Sequence, residues 1–473
     1  MSKFKSMDDS MNIVPPPVEA GEVDNISKDI EDTHHDAVFG DITESGPNYR
    51  NVGWLGTAIL MIKTQIGLGV LSIPSVFDTL GLIPGIIILI TIGVITTWSN
   101  YIVGVFKVNH REIYGIDDVG ELLFGRIGRE FFGAAFTLFF TFCSGSAMLS
   151  VSIALNALSM HAVCTAIFVA IAAIITVVFS SIRTLGRISW LAWVGAVCII
   201  ISVFTVTITV GIQDRPSAAP QQGVWKPDYK LFNNPSFSDA ASAVSSLVFS
   251  YAGTPAFFSI ASEMRDPRQY TKALVVCQTV ISTAYIVVGI VVYYYCGSYV
   301  SSPALGSAGP VVKKVAYGIA LPGLLVTAIL LTHIPAKYVF VRILRGSSHL
   351  TSNSATHWIT WLCCTLGVTV TAYIIASGIP VFGGLVSLVG ALLGTVLCMQ
   401  PMGCMWLYDN WTKGKKSPTL KWRLMVAWCV FVIVAGTFLV IAGTYGSVVS
   451  IADSYRKAGG TAAWSCADNS GST

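Results

Sequence analysis

Long apolar runs separated by short polar connections make up most of the chain. About 20 apolar residues in a helix that rises ~1.5 Å per residue cross a hydrocarbon core of ~30 Å, and most of the runs are long enough to do so. Small residues interspersed within several runs suit helices that pack closely in lipid. The pattern predicts eleven transmembrane helices, which we place at Val52 to Thr79, Leu82 to Phe106, Phe131 to Ala157, Ala162 to Ser181, Ile188 to Ile212, Asp239 to Ala261, Ala273 to Cys296, Val315 to Ile334, Trp358 to Ala376, Val381 to Leu407 and Leu424 to Thr444.

The composition agrees with an all-α integral membrane protein. Hydrophobic residues make up 53% of the 473 residues and charged residues only 11%, and the mean hydropathy is +0.67. Soluble proteins carry roughly 25% charged residues because their surface faces water. A soluble fold is therefore excluded, and membrane lipid is the expected surrounding of the chain.

The amino-terminal fifty residues differ from the rest. They hold four Lys/Arg against eleven Asp/Glu, a run of three prolines and no apolar stretch. We therefore divide the chain into a disordered acidic cytosolic tail (1–50), a transmembrane domain (51–447) and a short extracellular tail (448–473).

The distribution of Lys and Arg predicts the orientation. With a cytosolic amino terminus, the inner loops between helices hold seventeen of them and the outer segments hold seven. Positive residues resist translocation, so this orientation is favoured, and the odd number of helices leaves the carboxyl terminus outside.

Two of the eleven helices are interrupted at corresponding places, five helices apart. The first contains Gln65-Ile66-Gly67-Leu68-Gly69-Val70 and then Pro74, and the sixth contains Phe249-Ser250-Tyr251-Ala252-Gly253-Thr254-Pro255. Backbone that is not helical inside lipid leaves N–H and C=O groups unsatisfied, at a cost of several kcal/mol per group unless a ligand, water or protein binds them. The half-helix after such a break directs bare N–H groups and a positive dipole end at the gap, which suits a carboxylate.

Broken first and sixth helices indicate two five-helix repeats of opposite orientation, followed by one additional helix. Gly and Pro also occur in membrane helices that are merely kinked. The matched positions favour true breaks.

The residues at both breaks resemble a known family. Gly67 to Pro74 is similar to the G-x-G-x-L-x-x-P signature of the amino acid/auxin permease family, and Phe249 to Pro255 followed by Glu263 to Pro267 is similar to its sixth helix and the acidic element behind it. The resemblance covers roughly Asn51 to Thr444. Within the family it points to fungal permeases for neutral aliphatic and aromatic amino acids, of the type whose loss confers resistance to methyltryptophan.

The resemblance implies a leucine-transporter-like fold of the amino acid-polyamine-organocation superfamily, in the plasma membrane. It places the carboxylate of a neutral L-amino acid at the first break and its ammonium near carbonyls of both breaks. Part of the third helix, Thr141 to Ser146, either lines the substrate pocket or only packs, with Phe142 and Tyr251 as candidate walls. The candidate binding residues are Gln65, Ile66, Gly67, Leu68, Gly69, Val70, Phe142, Ser144, Phe249, Ser250, Tyr251, Ala252 and Gly253.

Lys63 lies about twelve residues, or ~18 Å, into the first helix, which is too deep for its ammonium to reach the interface. An ionisable group at this depth costs at least ~3 kcal/mol and usually faces a cavity, a partner or a transport path. Sodium-coupled relatives carry Asn where this chain has Lys63 and Thr where it has Ala328. We therefore expect proton symport with Lys63 as the coupling group, and sodium coupling remains the alternative.

Two further ionisable residues have two interpretations each. His333 in the eighth helix either relays protons or is satisfied by a neighbouring carbonyl. Glu263, near Arg265 and Arg268, either forms an interfacial ion-pair network or acts as a gate at the cytosolic mouth.

Other chemistry has no support in the sequence. There is no phosphate-binding G-x-x-x-x-G-K-[ST], no cluster typical of an enzyme, and no metal-ligand spacing among the eleven cysteines, which we assign to core packing. We expect no cofactor, no metal and no nucleic-acid partner. The predicted function is import of neutral amino acids, with an amino acid sensor of the same fold as the alternative.

Overall fold

The computed structural model describes residues 34–36 and 40–42, and the chain from 51 to 470 apart from residues 68, 184, 217, 221, 224, 351, 380–381 and 458–463. Two short strands, β1 (His34–Asp36) and β2 (Gly40–Ile42), pair antiparallel. The rest of the first fifty residues lies outside the described part, so the disordered tail stays a prediction.

The first five spans comprise six helices. The first span is divided into α1 (Trp54–Ile66) and α2 (Ile73–Leu80), with a 3-10 turn at Gly69–Leu71 between them. The next four spans are α3 (Leu82–Asn109), α4 (Ile116–Ser159), α5 (Thr165–Ser180) and α6 (Leu185–Ile212).

The sixth span is again divided, into α7 (Phe237–Ser250) and α8 (Thr254–Ser262). The next three spans are α9 (Tyr270–Cys296), α10 (Pro310–Leu344) and α11 (Ala355–Gly378). The tenth span contains α12 (Phe382–Val389), a π-helical segment (Gly390–Gly394), α13 (Thr395–Cys398) and α14 (Gln400–Lys416). The last span is α15 (Leu420–Lys457).

All eleven predicted spans are found. Among the described residues, ten helical spans are long and apolar enough to cross a membrane, and the shorter apolar helix α5 is the eleventh. The helices extend beyond the predicted limits at several ends: α10 continues to Leu344, and α4 begins at Ile116 rather than Phe131, with a kink at Gly125 (φ 68°) that separates its first turns from the span. These extensions carry ion pairs between Arg345 and Asp118 and between Arg342 and Glu130, so hydropathy does not detect them.

The two divided spans lie at the centre of the bundle. In its most apolar stretch, the sixth span is 94% buried by protein, whereas the eleventh is 17% buried. Non-helical backbone at membrane depth is tolerated where protein encloses it. The central position of both breaks therefore keeps their free backbone groups away from lipid.

A disulfide ties the carboxyl-terminal tail to the bundle. Cys164, just before α5, bonds to Cys466 with an S–S distance of 2.03 Å, and Thr165 Oγ1 donates to the Ala467 carbonyl at 2.7 Å. The assignment of all cysteines to core packing is wrong for this pair. The two residues are 302 positions apart, and their spacing gave no sign of pairing.

Candidate functional site

The two breaks touch each other. Ser250, the last residue of α7, donates a hydrogen bond from Oγ to the Gly69 carbonyl oxygen at 3.1 Å. A Cβ atom at Gly69 would lie 2.5 Å from the Ser250 Cα atom, well inside van der Waals contact. This approach requires glycine, so the predicted interruptions form one structural unit.

Tyr285 in α9 links the breaks a second time. Its hydroxyl lies 2.9 Å from the Gln65 carbonyl oxygen and 2.7 Å from the Ser250 carbonyl oxygen. Both carbonyls belong to the last turn before a break, where helical partners are missing. One hydroxyl proton is therefore shared between two acceptors. Tyr285 is not among the residues predicted for the site. A tyrosine inside an apolar span is itself a signal, because a buried phenol needs a polar partner.

A small cavity lies beside the joined breaks. It is lined by side chains and backbone of the first, third, sixth and eighth spans, which are Thr64, Gln65, Gly69, Phe139, Phe140, Cys143, Phe249, Ala252, Thr327 and Leu331. The Gln65 side chain is buried, and within the described residues neither its amide oxygen nor its amide nitrogen has a hydrogen-bond partner. Buried amides are rarely left unpaired in proteins. The cavity therefore offers an unused donor and acceptor beside an aromatic wall.

The structure brings most of the predicted binding residues to this place. Those that line the cavity are Gln65, Gly69, Phe249 and Ala252. Gly67 lies against Thr327, and Gly253 lies against the Gln65 side chain, where added Cβ atoms would fall 2.7 Å and 2.8 Å from their neighbours. Ile66 and Val70 are buried in the core rather than at the lining, and Leu68 lies outside the described residues.

Three predicted residues lie elsewhere. Tyr251 points away from the cavity towards the second span, with its hydroxyl close to Gly93. Phe142 is half-buried but absent from the lining, and Ser144 Oγ is 2.6 Å from Thr332 Oγ1 in the interface between α4 and α10. The helix turns Phe139, Phe140 and Cys143 towards the cavity instead, so these residues replace the predicted wall.

Lys63 is fully buried next to the cavity. Its Nζ atom donates to Thr327 Oγ1 at 2.6 Å, and Thr327 donates in turn to the Gly323 carbonyl at 2.9 Å. The residue of the eighth span that faces Lys63 is thus Thr327. It lies one position before Ala328, the position that we match to the Thr of sodium-coupled relatives. Because Thr327 also lines the cavity, one hydroxyl connects the lysine with the site.

His333 lies away from the cavity. Its Nδ1 atom is 3.2 Å from the Ser180 carbonyl oxygen, and its ring centroid is 5.2 Å from that of Trp361. The histidine therefore packs between the fourth, eighth and ninth spans. This environment matches the structural interpretation of His333 rather than a proton relay in the cavity.

Glu263 forms a buried ion pair, but with a different partner from those expected. Its Oε1 atom is 2.6 Å from Lys337 Nζ in α10, whereas the neighbouring Arg265 donates to Asn51. The backbone beside the ion pair is also joined to the start of the first span, because Val52 N donates to the Glu263 carbonyl and Arg265 N donates to the Val52 carbonyl. Lys337 was expected in a loop, and the longer α10 places it inside the protein.

Divided helices at matching positions, joined beside a small cavity, define a membrane transporter of the leucine-transporter-like fold. The chain belongs to the family of transmembrane amino acid transporter proteins, which it matches over residues 50–449. The resemblance to amino acid/auxin permeases is thereby confirmed. The protein is an amino acid transporter and not an enzyme.

Named relatives agree with this assignment. A transmembrane transporter of Gibberella moniliformis is 34% identical over 426 residues, which cover 90% of each chain. The N amino acid transport system protein of Neurospora crassa is 29% identical over 478 residues, covering 98% of this chain and 99% of its own. A solved Na⁺-coupled sialic acid symporter is similar in fold, with a TM-score of 0.54, 11% identity, and coverage of 90% of this chain and 94% of the symporter.

Proposed function

We propose that this protein imports neutral aliphatic and aromatic amino acids across the plasma membrane, by proton symport through alternating access. The observation that carries the proposal is the unpaired Gln65 amide in a cavity beside two joined helix breaks. The Neurospora relative, named as an amino acid transport protein, supports the substrate class at its coarser level.

The lining favours a neutral substrate. The substrate carboxylate would meet the Gln65 amide and the backbone of the first break at Gly69, while its ammonium would replace part of the contact between Tyr285 and the two carbonyls. Phe139, Phe140 and Phe249 would contact the apolar side chain. No Asp, Glu, Lys or Arg belongs to the described lining, so a charged substrate side chain would be buried without a counterion.

Lys63 is the group that we assign to proton coupling. Its hydrogen-bond partner is a neutral hydroxyl, and an ammonium at this depth is costly without a counterion. Opening of the cavity to water removes that cost and closing restores it. Because Thr327 touches both the lysine and the cavity, substrate binding and proton binding would influence each other.

Uptake into proteoliposomes tests the proposal. Labelled leucine, phenylalanine and tryptophan are offered with a proton gradient or a sodium gradient imposed separately. Accumulation driven by the proton gradient supports symport, whereas accumulation driven only by sodium contradicts it. Binding without net uptake would instead favour the sensor.

Lys63→Met should abolish the pH dependence of uptake, and Lys272→Met, at an exposed lysine, should leave it unchanged.

The orientation is part of the same proposal. Cys164 and Cys466 form a disulfide, and disulfides persist in oxidising surroundings outside the cytosol. This agrees with an extracellular carboxyl terminus and a cytosolic amino terminus. Epitope tags test it in intact cells: a tag after Thr473 should bind antibody directly, and a tag before Met1 only after permeabilisation. The reverse pattern would overturn the orientation.

A further inference from the structure

The connection between the tenth and eleventh spans carries a dense group of positive charges. They are Lys413, Lys415, Lys416, Lys421 and Arg423, and no Asp or Glu occurs from Asn410 to Ala452. All five side chains are exposed, and in the part of the chain that the structure describes none of them forms an ion pair. Arg342 and Arg345, at the carboxyl end of α10, pair with Glu130 and Asp118 instead.

This segment, residues 410–423, has a fixed shape and is called the basic hairpin below. The rings of Trp411 and Trp422 are 5.7 Å apart between centroids, and Trp422 Nε1 donates to the Asn410 carbonyl at 3.2 Å. A Cβ atom at Gly414 would lie 2.0 Å from Trp422 Nε1, so the indole occupies the space that a side chain would need. The cations are therefore presented by a packed turn.

The hairpin also lies where the membrane surface must be. It joins two transmembrane helices, and Asp409 just before it contacts His110, which follows the second span, at 2.9 Å. Trp411 is 47% exposed, and Leu420 and Leu424 are 73% and 62% exposed on the adjoining turns. Tryptophan prefers the level of lipid headgroups, and exposed leucines suit the acyl region next to it.

We propose that the basic hairpin binds the headgroups of anionic phospholipids in the adjoining leaflet. Clustered cations next to a transmembrane helix attract anionic lipid, and each one near the surface adds about fivefold in affinity. A membrane lipid fits better than a soluble anion because the exposed apolar side chains of Trp411, Leu420 and Leu424 lie on or next to the same segment as the cations and suit contact with the bilayer. The proposal does not depend on which amino acid the protein carries.

Thermal unfolding of the full-length protein in neutral detergent tests this site. Phosphatidylserine and phosphatidylcholine with identical acyl chains are titrated separately, and inorganic phosphate is titrated without lipid. The test variant replaces all five cations by Gln. A charge-retaining control replaces the four lysines by Arg, and Lys226→Gln provides a control at an exposed lysine in a loop outside the hairpin.

We expect phosphatidylserine to stabilise the wild type, the Arg variant and the Lys226→Gln variant. The apparent affinity for phosphatidylserine, taken from these titrations, should be at least tenfold higher than for the five-Gln variant. Equal stabilisation by phosphatidylcholine, stabilisation by phosphate alone, or an unchanged five-Gln variant would overturn the proposal. If the five-Gln variant does not fold, photoactivatable phosphatidylserine with the wild type decides. Labelled peptides should then map to residues 410–424, and labelling confined to other segments would contradict the site.

Discussion

The hydroxyl of Tyr285 lies 2.9 Å from the backbone oxygen of Gln65 and joins the end of α1 to the end of α7, whose Ser250 oxygen is 2.7 Å away. Two helix ends whose carbonyls lack helical partners at the breaks are thus held by one phenol from a third span. In the proposed binding mode, a substrate ammonium would use the same oxygens. Substrate binding at these oxygens would therefore change the contacts of both breaks at once.

Tyr285→Phe should impair transport more than stability. Loss of the hydroxyl leaves two buried carbonyls without this donor, which destabilises the joined breaks by about 1–3 kcal/mol, and a transport barrier higher by about 1.4 kcal/mol corresponds to about tenfold in uptake rate. Tyr270→Phe is the matched control, because its hydroxyl donates to the Asn100 carbonyl at 3.0 Å away from the breaks. Uptake per folded molecule should fall only for Tyr285→Phe, and equal losses would assign the phenol a packing role.

The pair of Glu263 with Lys337 should behave as a gate. Glu263→Gln leaves a buried lysine without its carboxylate, which costs about 3–5 kcal/mol, and we expect uptake to fall more than protein abundance. Exchanging the two residues, Glu263→Lys with Lys337→Glu, should recover part of the uptake. Glu130→Gln removes a more exposed pair with Arg342 and should change stability by about 1 kcal/mol or less. A fall in uptake that only follows abundance would indicate a structural role for the buried pair.

Loss of the disulfide should loosen the contact between the carboxyl-terminal tail and the bundle. Cys466→Ser releases residues 464–470, which also contact the third span through Asn469 and Asn156 at 2.7 Å. Removal of a disulfide typically costs about 2–4 kcal/mol, so the unfolding midpoint should fall and should match that of reduced wild type. Cys363→Ser, at an exposed free thiol, should have no such effect. A midpoint unchanged by both reduction and Cys466→Ser would show that the cross-link does not stabilise the fold.

The sequence predicts the spans and the breaks because both depend on local properties. Apolar length sets the number of helices, and Gly67, Gly69 and Gly253 mark the places where backbone approaches side chains closely. The family signature covers these same residues, so its prediction of fold was confirmed.

The remaining details depend on contacts between distant residues. Tyr285 meets Gln65 across 220 positions, and Lys337 meets Glu263 only because α10 is longer than its apolar part. Residue type alone also does not show which face of a helix points into a cavity. Phe142 was therefore predicted as a wall of the cavity, whereas Phe139 and Phe140 line it.

Uptake by the Gly69→Ala variant tests the central claim most directly, namely that the amino acid binds in the cavity beside the joined breaks. The added methyl would lie 2.5 Å from Ser250 Cα and force the breaks apart. Gly367→Ala is the control, because a Cβ atom there has no heavy atom within 4 Å. We expect Gly69→Ala to lose at least about 90% of leucine uptake in proteoliposomes, a change of about 1.4 kcal/mol or more, and to lose stabilisation by leucine, while Gly367→Ala retains both. A Gly69→Ala protein that transports leucine at the wild-type rate would contradict the account.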